Sequence, residues 1–130
     1  MRNSRDPQPR ILVIDDESSI RQVLEVFLKR EDFVPLLAES GGMGITMARE
    51  LRPDVIILDF IMPGMDGLEV LATLKGEEGL KEIPVIMCTV FTREENRRQA
   101  LALGAAAYFN KPFDINELMA HIHKLLMVKL

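Results

Sequence analysis

The chain has 130 residues, enough for one compact domain with its own core, and its 48% hydrophobic and 28% charged residues are typical of a soluble globular protein. Its net charge of -4 argues against non-specific binding to nucleic acid or anionic membranes, because both need a basic face. No apolar run approaches the roughly 20 residues of a membrane span, no signal-peptide pattern opens the chain, and the single Cys88 cannot form an internal disulfide. These features predict a soluble, cytoplasmic domain.

The first part of the chain predicts a leader, a strand and a helix. Residues 1–9 are polar, basic and proline-containing, which predicts a disordered leader before a domain that spans residues 10–130. The continuously apolar residues 11–14 are expected to form a strand covered on both faces. Ser18 or Ser19 is the expected N-cap of a helix with apolar residues at 3-4 spacing.

Predicted strands and helices continue to alternate to the end of the chain. The second predicted strand, residues 33–38, contains Pro35, which cannot donate to a ladder hydrogen bond, so this strand is expected at an edge of the sheet. Gly104 is expected to end the fourth helix, and Asp114 to open the last one. The other predicted elements are a helix at 42–51, a strand at 55–58, a helix around Leu68, Leu71 and Leu74, a strand at 83–89, a helix at 93–103 and a strand at 106–110.

Five consecutive βα repeats predict an α/β fold, a five-stranded parallel sheet with helices on both faces. Right-handed crossovers and an edge position for the second strand favour the flavodoxin-like order 2-1-3-4-5. In that order the direction of winding reverses between the first and third strands. A ligand is therefore expected at the carboxyl ends of those two strands.

Polar residues follow the predicted strands at this position. Asp15 and Asp16 follow the first strand, Asp59 the third, Thr89 ends the fourth, and Lys111 follows the fifth. Neighbouring carboxylates repel one another unless a cation holds them together. Hard oxygen ligands suit Mg²⁺, and an ionised Asp beside that cation can act as a nucleophile toward phosphorus. The sequence thus predicts Mg²⁺-dependent phosphoryl chemistry, with Lys111 neutralising charge on the transferred group.

Each of these residues also has a structural interpretation. An Asp after a strand is commonly a helix cap or a solvated loop residue, so Asp16 or Glu17 could cap the first helix, and Lys111 could be a surface lysine. Capping does not explain five such residues at four strand ends, which favours a functional site.

Four stretches resemble the signature segments of bacterial response-regulator receiver domains of the CheY-like family. They are residues 13–17 (VIDDE), 58–67 (LDFIMPGMDG), 84–89 (PVIMCT) and 108–113 (YFNKPF). The resemblance runs from about residue 10 to residue 128. It implies a receiver of a two-component phosphorelay that accepts a phosphoryl group from a sensor histidine kinase, a histidine phosphotransfer protein or a small phosphodonor, and that acts on a downstream output domain or protein.

The resemblance also implies roles at the metal site. Asp59 would be the phosphoacceptor. Asp16, Asp59 and the backbone carbonyl of Ile61 would ligate Mg²⁺ directly, while Asp15 would act mainly through water.

A second group of residues is implied in catalysis and switching. Thr89 would turn to bond the phosphoryl oxygen, and Tyr108 would follow it inward, changing the surface formed by the fourth helix, fifth strand and fifth helix. Lys111 would bond the acyl phosphate, and the Lys111–Pro112 peptide bond is expected to be cis.

One residue departs from the usual family pattern, and two others are apolar at positions from which a polar side chain could orient a water molecule. Val90 stands after the switch threonine, where a small residue is usual, and could narrow access to the pocket. Ile61 and Phe91 are apolar and could not orient an attacking water. These departures affect the expected phosphorylation rates rather than the family assignment.

Two other functions were weighed against this one. A phosphohydrolase of the haloacid-dehalogenase type needs D-x-D directly after a strand, but Asp59 is followed by Phe60 and Ile61. A receiver-like binding module without phosphorylation would not need the full set of five polar residues. The expected product is a changed surface rather than a released small molecule, so the domain is not expected to be an enzyme. No direct membrane or nucleic-acid contact is expected.

The last residues leave three alternatives open. Met127, Val128 and Leu130 extend the apolar character beyond one helix face. They are compatible with a continuing helix, a contact in a homodimer or a frayed terminus.

Overall fold

A computed structural model describes residues 7–60, 62, 64–90 and 93–128, apart from the side chain of residue 128. Within these residues, five parallel strands form one sheet in the order β2-β1-β3-β4-β5. The strands are β1 (Arg10–Ile14), β2 (Val34–Ala38), β3 (Val55–Leu58), β4 (Val85–Thr89) and β5 (Ala107–Asn110). The helices are α1 (Ser18–Arg30), α2 (Gly41–Leu51), α3 (Gly67–Gly76), α4 (Glu94–Ala102) and α5 (Ile115–Val128). This confirms the predicted flavodoxin-like fold.

The sheet separates two apolar cores, one on each face. Alternate residues of β1 point to opposite faces, so Ile11 and Val13 pack against α1 and α5, whereas Leu12 and Ile14 pack against α2 and α3. Because both faces are covered, the central strands β1, β3 and β4 are apolar at almost every position, as the sequence predicts. Among the described residues, none of the helices combines the length and the apolar character needed to cross a membrane.

The edge strands are β2 and β5. Within the described residues, strand β2 pairs only with β1, with Pro35 opposite Ile11, which confirms the edge position predicted from Pro35. In the same part of the chain, strand β5 pairs only with β4, and its residues are partly or fully exposed. Residues 1–6 of the predicted leader lie outside the described residues. Its last residue, Pro9, accepts a hydrogen bond from the backbone nitrogen of Val34 at 2.8 Å and is therefore tied to the sheet.

The helix ends are partly as expected. Gly104 follows the last residues of α4 with φ +109°, a conformation that glycine adopts without strain, and Asp114 Oδ1 accepts a hydrogen bond from the backbone of α5 at 2.8 Å. The expectation that Ser18 or Ser19 caps α1 is wrong. Glu17 occupies the cap position and its side chain makes no capping hydrogen bond.

Candidate functional site

The carboxyl end of the sheet carries the buried polar residues. Within the described part of the chain, the buried polar residues are Asp15, Asp59 and Thr89, with 3%, 5% and 0% of their surface exposed. All three stand at the ends of parallel strands, as predicted, so the fold places them on one edge. Burying carboxylates is unfavourable unless they are paired or bind a cation, so their position needs an explanation beyond packing.

Backbone hydrogen bonds continue the sheet ladder through the residues of this site. The backbone nitrogen of Asp15 donates to Ala38 O (3.1 Å), that of Asp59 to Ile14 O (3.0 Å), and that of Lys111 to Thr89 O (2.7 Å). The position of each functional residue is thus fixed by the neighbouring strand rather than by a free loop.

Lys111 faces three carboxylates at once. Its Nζ lies 2.7 Å from Asp15 Oδ2, 3.5 Å from Glu17 Oε1 and 3.7 Å from Asp59 Oδ2. Only 6% of the Lys111 side chain is exposed. Burial on its own lowers the pKa of the Lys111 ammonium, but the hydrogen bond to Asp15 and the charges of Asp15, Asp59 and Glu17 outweigh burial and raise that pKa overall. Lys111 is therefore held in its charged form.

The three carboxylates form one cluster. Asp15, Glu17 and Asp59 each place a carboxylate oxygen within 4.8 Å of the other two. When all three are ionised, Lys111 balances one negative charge and two remain, which a divalent cation would balance. Carboxylate oxygens are also the donors that Mg²⁺ prefers. The donor set therefore fits the predicted metal.

The cluster differs in one member from the predicted ligand set. It contains Asp15 and Asp59 with Glu17 rather than Asp16, and both Glu17 and Asp16 are exposed. The backbone nitrogen of Glu17 donates to Asp15 Oδ1 at 3.0 Å, and Glu17 itself has an extended backbone. Residues 15 and 17 therefore point to the same side, a two-residue periodicity that could have been read from the sequence. Ile61, whose carbonyl was the other predicted ligand, lies outside the described residues.

Two residues fix the backbone around the acidic side chains. Gly67, the first residue of α3, donates from its nitrogen to Phe60 O at 2.7 Å. A Cβ on Gly67 would lie 2.3 Å from the backbone oxygen of Asp59, so only glycine permits this approach. Arg21 of α1 donates from Nη1 to the backbone oxygen of Asp15 at 2.7 Å. The backbone at Asp15 is thus held by α1 and the backbone next to Asp59 by α3.

The predicted switch residues lie on the β4 side of the site. Thr89 is fully buried at the end of β4, and Tyr108 of β5 is half-buried against the core that α2 and α3 cover. Burial raises the pKa of the Tyr108 phenol. The Lys111–Pro112 peptide bond is cis, as the resemblance implies. Val90 is 58% exposed, so its branched side chain stands at the surface beside Thr89, whereas Phe91 lies outside the described residues.

Comparison with known proteins agrees with this geometry. The sequence profile of the response regulator receiver domain matches residues 11–123. Over 113 residues, the chain is 40% identical to the phosphate regulon transcriptional regulatory protein PhoB of Klebsiella pneumoniae (87% of this chain, 49% of PhoB). Over the same length it is 37% identical to the DNA-binding response regulator MtrA of Mycobacterium tuberculosis (87% of this chain, 48% of MtrA).

A solved structure gives the same result in three dimensions. The chemotaxis protein CheY4 of Vibrio cholerae superimposes with a TM-score of 0.86 at 30% identity, covering 92% of this chain and all of CheY4. The chain spans about half the length of the curated relatives it matches. The profile match alone extends over most of the chain. The chain belongs to the response regulator receiver domain family.

Proposed function

We propose that this receiver domain accepts a phosphoryl group on Asp59 in a Mg²⁺-dependent reaction and thereby switches a surface that its partners recognise. The observation that carries the proposal is the position of the Asp59 carboxylate. It is buried at the end of a central strand, clustered with Asp15 and Glu17, and 3.7 Å from the Lys111 ammonium. A carboxylate held beside positive charge in a partly dry site can attack phosphorus.

The proposed transfer is balanced by loss of the donor's leaving group. A carboxylate oxygen of Asp59 forms a bond to phosphorus, and the bond between phosphorus and the donor atom breaks. With acetyl phosphate, acetate leaves with the electron pair; with a phosphohistidine, the imidazole nitrogen keeps the pair. Lys111 is placed to donate a hydrogen bond to a phosphoryl oxygen, because it already lies beside Asp59 Oδ2.

Asp15 and Asp59 would hold the Mg²⁺, with Asp16 as the further acidic ligand that the family resemblance implies. The ion would supply positive charge against the negative charge of the phosphoryl group. Asp15 and Asp59 suit this role because backbone hydrogen bonds to neighbouring strands fix both of them.

The proposed partners follow from the family and from the relatives. A sensor histidine kinase or a histidine phosphotransfer protein would supply the phosphoryl group, and a downstream output domain or protein would respond. PhoB is a transcriptional regulatory protein and MtrA a DNA-binding response regulator, so gene regulation is one output that fits. The domain would work in the cytoplasm and would not be an enzyme, because phosphorylation and its slow reversal occur on its own Asp59.

Phosphorylation is tested with acetyl phosphate and Mg²⁺. Intact-mass spectrometry should show one added phosphoryl group, and peptide mapping should place it on Asp59. Asp59→Asn should abolish it. The control is Asp32→Asn, because Asp32 is exposed and has φ 63°, a conformation that Asn tolerates. A phosphoryl group that persists in Asp59→Asn, or that maps elsewhere, would contradict the assignment, whereas wild-type protein that gains no phosphoryl group would favour the rival binding module.

Metal binding is tested by calorimetric titration with Mg²⁺. Asp15→Asn and Asp59→Asn should each weaken binding by about tenfold or more, because each removes a charged oxygen ligand. Asp16→Asn tests the ligand that the family pattern implies, although the structure exposes Asp16. Unchanged Mg²⁺ affinity in that variant would remove Asp16 from the ligand set.

The switch is tested through Thr89. Its hydroxyl can gain a charge-assisted hydrogen bond only when a phosphoryl group is present, which gives the differential interaction that a population shift requires. Thr89→Ala should therefore still accept phosphate but fail to transmit the change to Tyr108 and to α4 and α5. Amide NMR spectra with and without beryllofluoride give the readout. Wild-type shifts across residues 93–120 in Thr89→Ala would contradict this coupling.

A further inference from the structure

Lys111 has three N–H donors and faces three carboxylates, of which Glu17 differs from the other two. The Asp15 and Asp59 side chains are only 4% and 6% exposed, whereas Glu17 is 54% exposed. Glu17 is therefore the one carboxylate of the three that both contacts Lys111 and reaches solvent. It contacts the same ammonium as Asp59, yet its side chain makes no capping hydrogen bond to the helix that it precedes.

We propose that Glu17 is a positioning residue that slows phosphorylation of Asp59 by anionic donors. This inference rests on the proposed function. In the unphosphorylated protein, Glu17 Oε1 lies 3.5 Å from the Lys111 ammonium, which Asp15 and Asp59 also contact. When Asp59 becomes an aspartyl phosphate and the donor's leaving group departs, Lys111 must direct a hydrogen bond to the new phosphoryl oxygens. The contact with Glu17 is the long, exposed one that competes with that bond.

The charge of Glu17 acts on the incoming donor as well. Small phosphodonors and phosphohistidines are anionic, and the Asp59 carboxylate that they must reach lies in the same cluster as the exposed Glu17 carboxylate. A like charge about 5 Å away disfavours their approach even in water, and salt screens the effect because the Debye length at 0.5 M is only about 4 Å. Because Glu17 is exposed, its effect should depend strongly on ionic strength, whereas packing by a buried residue would not.

Three variants separate these effects. Glu17→Gln keeps the size and removes the charge. Glu17→Asp keeps the charge with a shorter reach. Glu39→Gln is the matched control, because Glu39 follows β2 at the same end of the sheet, is 67% exposed, and pairs with Arg21 at 4.0 Å.

The measurement is the rate of Asp59 phosphorylation by acetyl phosphate, at a Mg²⁺ concentration that calorimetry shows to be saturating for each variant. Glu17→Gln should react about fivefold faster than wild type at 50 mM salt, and the ratio should fall below about twofold at 0.5 M. Glu17→Asp and Glu39→Gln should stay within about twofold of wild type at both salt concentrations.

The outcomes distinguish the two proposals. If Glu17→Gln reacts no faster than wild type, if its gain is independent of salt, or if Glu39→Gln gains as much, this role for Glu17 is wrong while phosphorylation of Asp59 stands. If wild-type protein gains no adduct on Asp59, the proposed function fails and takes this inference with it.

Discussion

The two ends of the sheet differ in how their charged side chains are paired. At the amino end, the backbone nitrogen of Arg10 donates to Asp54 Oδ2 at 2.8 Å, and the Arg10 guanidinium donates to Arg52 O at 3.0 Å. At this end the charged side chains form hydrogen bonds with backbone groups near the surface. At the carboxyl end, one ammonium faces three carboxylates, two of them buried. The amino end is arranged for stability, whereas the carboxyl end keeps an excess of negative charge that is useful only when a cation or a phosphoryl group arrives.

The largest expected loss of stability comes from a substitution that displaces the backbone at the carboxyl end of the sheet. Gly67→Ala places a Cβ 2.3 Å from the backbone oxygen of Asp59, which must shift. We expect a loss of about 3 kcal/mol or more of unfolding free energy, measured by urea denaturation. The control is Gly76→Ala at the other end of α3, where an added Cβ meets nothing within 4 Å. Equal stability of the two variants would show that α3 and β3 adapt to the methyl group.

A smaller effect should differ in sign between the two ends. In Mg²⁺-free buffer, Asp59→Asn removes one of three mutually repelling carboxylates and should stabilise the domain by about 1 kcal/mol. Asp54→Asn weakens the hydrogen bond to the Arg10 nitrogen and should destabilise it by about 1 kcal/mol. Thermal unfolding of both variants gives the comparison. If Asp59→Asn is also destabilising, the carboxyl end is not electrostatically strained.

The smallest effect appears at alkaline pH. The folded-state pKa of Lys111 is raised above its ordinary value of 10.5. Its contribution to stability is therefore fully present below that value and is lost as the pH rises through the folded-state pKa. Urea denaturation at pH 10 to 12 should show a fall in the unfolding free energy of wild type above pH 10.5, the unfolded-state pKa of Lys111. Lys111→Arg keeps its charge in this range and should fall less. If the unfolding free energy falls equally with pH in wild type and Lys111→Arg, loss of the Lys111 charge is not the cause.

The sequence predicts the fold well because its signals are local. Buried parallel strands read as short apolar runs, and Pro35 places β2 at the edge because it lacks a donor. Gly104 marks the end of α4 because its positive φ suits glycine. Each of these signals depends on a few neighbouring residues, so the final packing does not change it.

The site is predictable where strand ends determine it and unpredictable where distant contacts do. Asp15, Asp59, Thr89 and Lys111 follow from the fold rule, because parallel strands bring their carboxyl ends together. Glu17 does not follow from this rule: the two-residue spacing from Asp15 indicates the side that it faces, but its contact with Lys111, 94 residues further along the chain, cannot be read from the sequence.

The exposed edge at β5 has a consequence for how the site opens. The carboxylates of Asp15 and Asp59 follow β1 and β3, which have neighbours on both sides, whereas Lys111 follows β5, which pairs with β4 alone. Segments with fewer buried contacts and hydrogen bonds open locally at lower free energy. Amide hydrogens of β5 should therefore exchange faster than those of β1 and β3. Each such opening carries Lys111 away while the acidic residues stay in place, so the site loses its built-in cation without global unfolding.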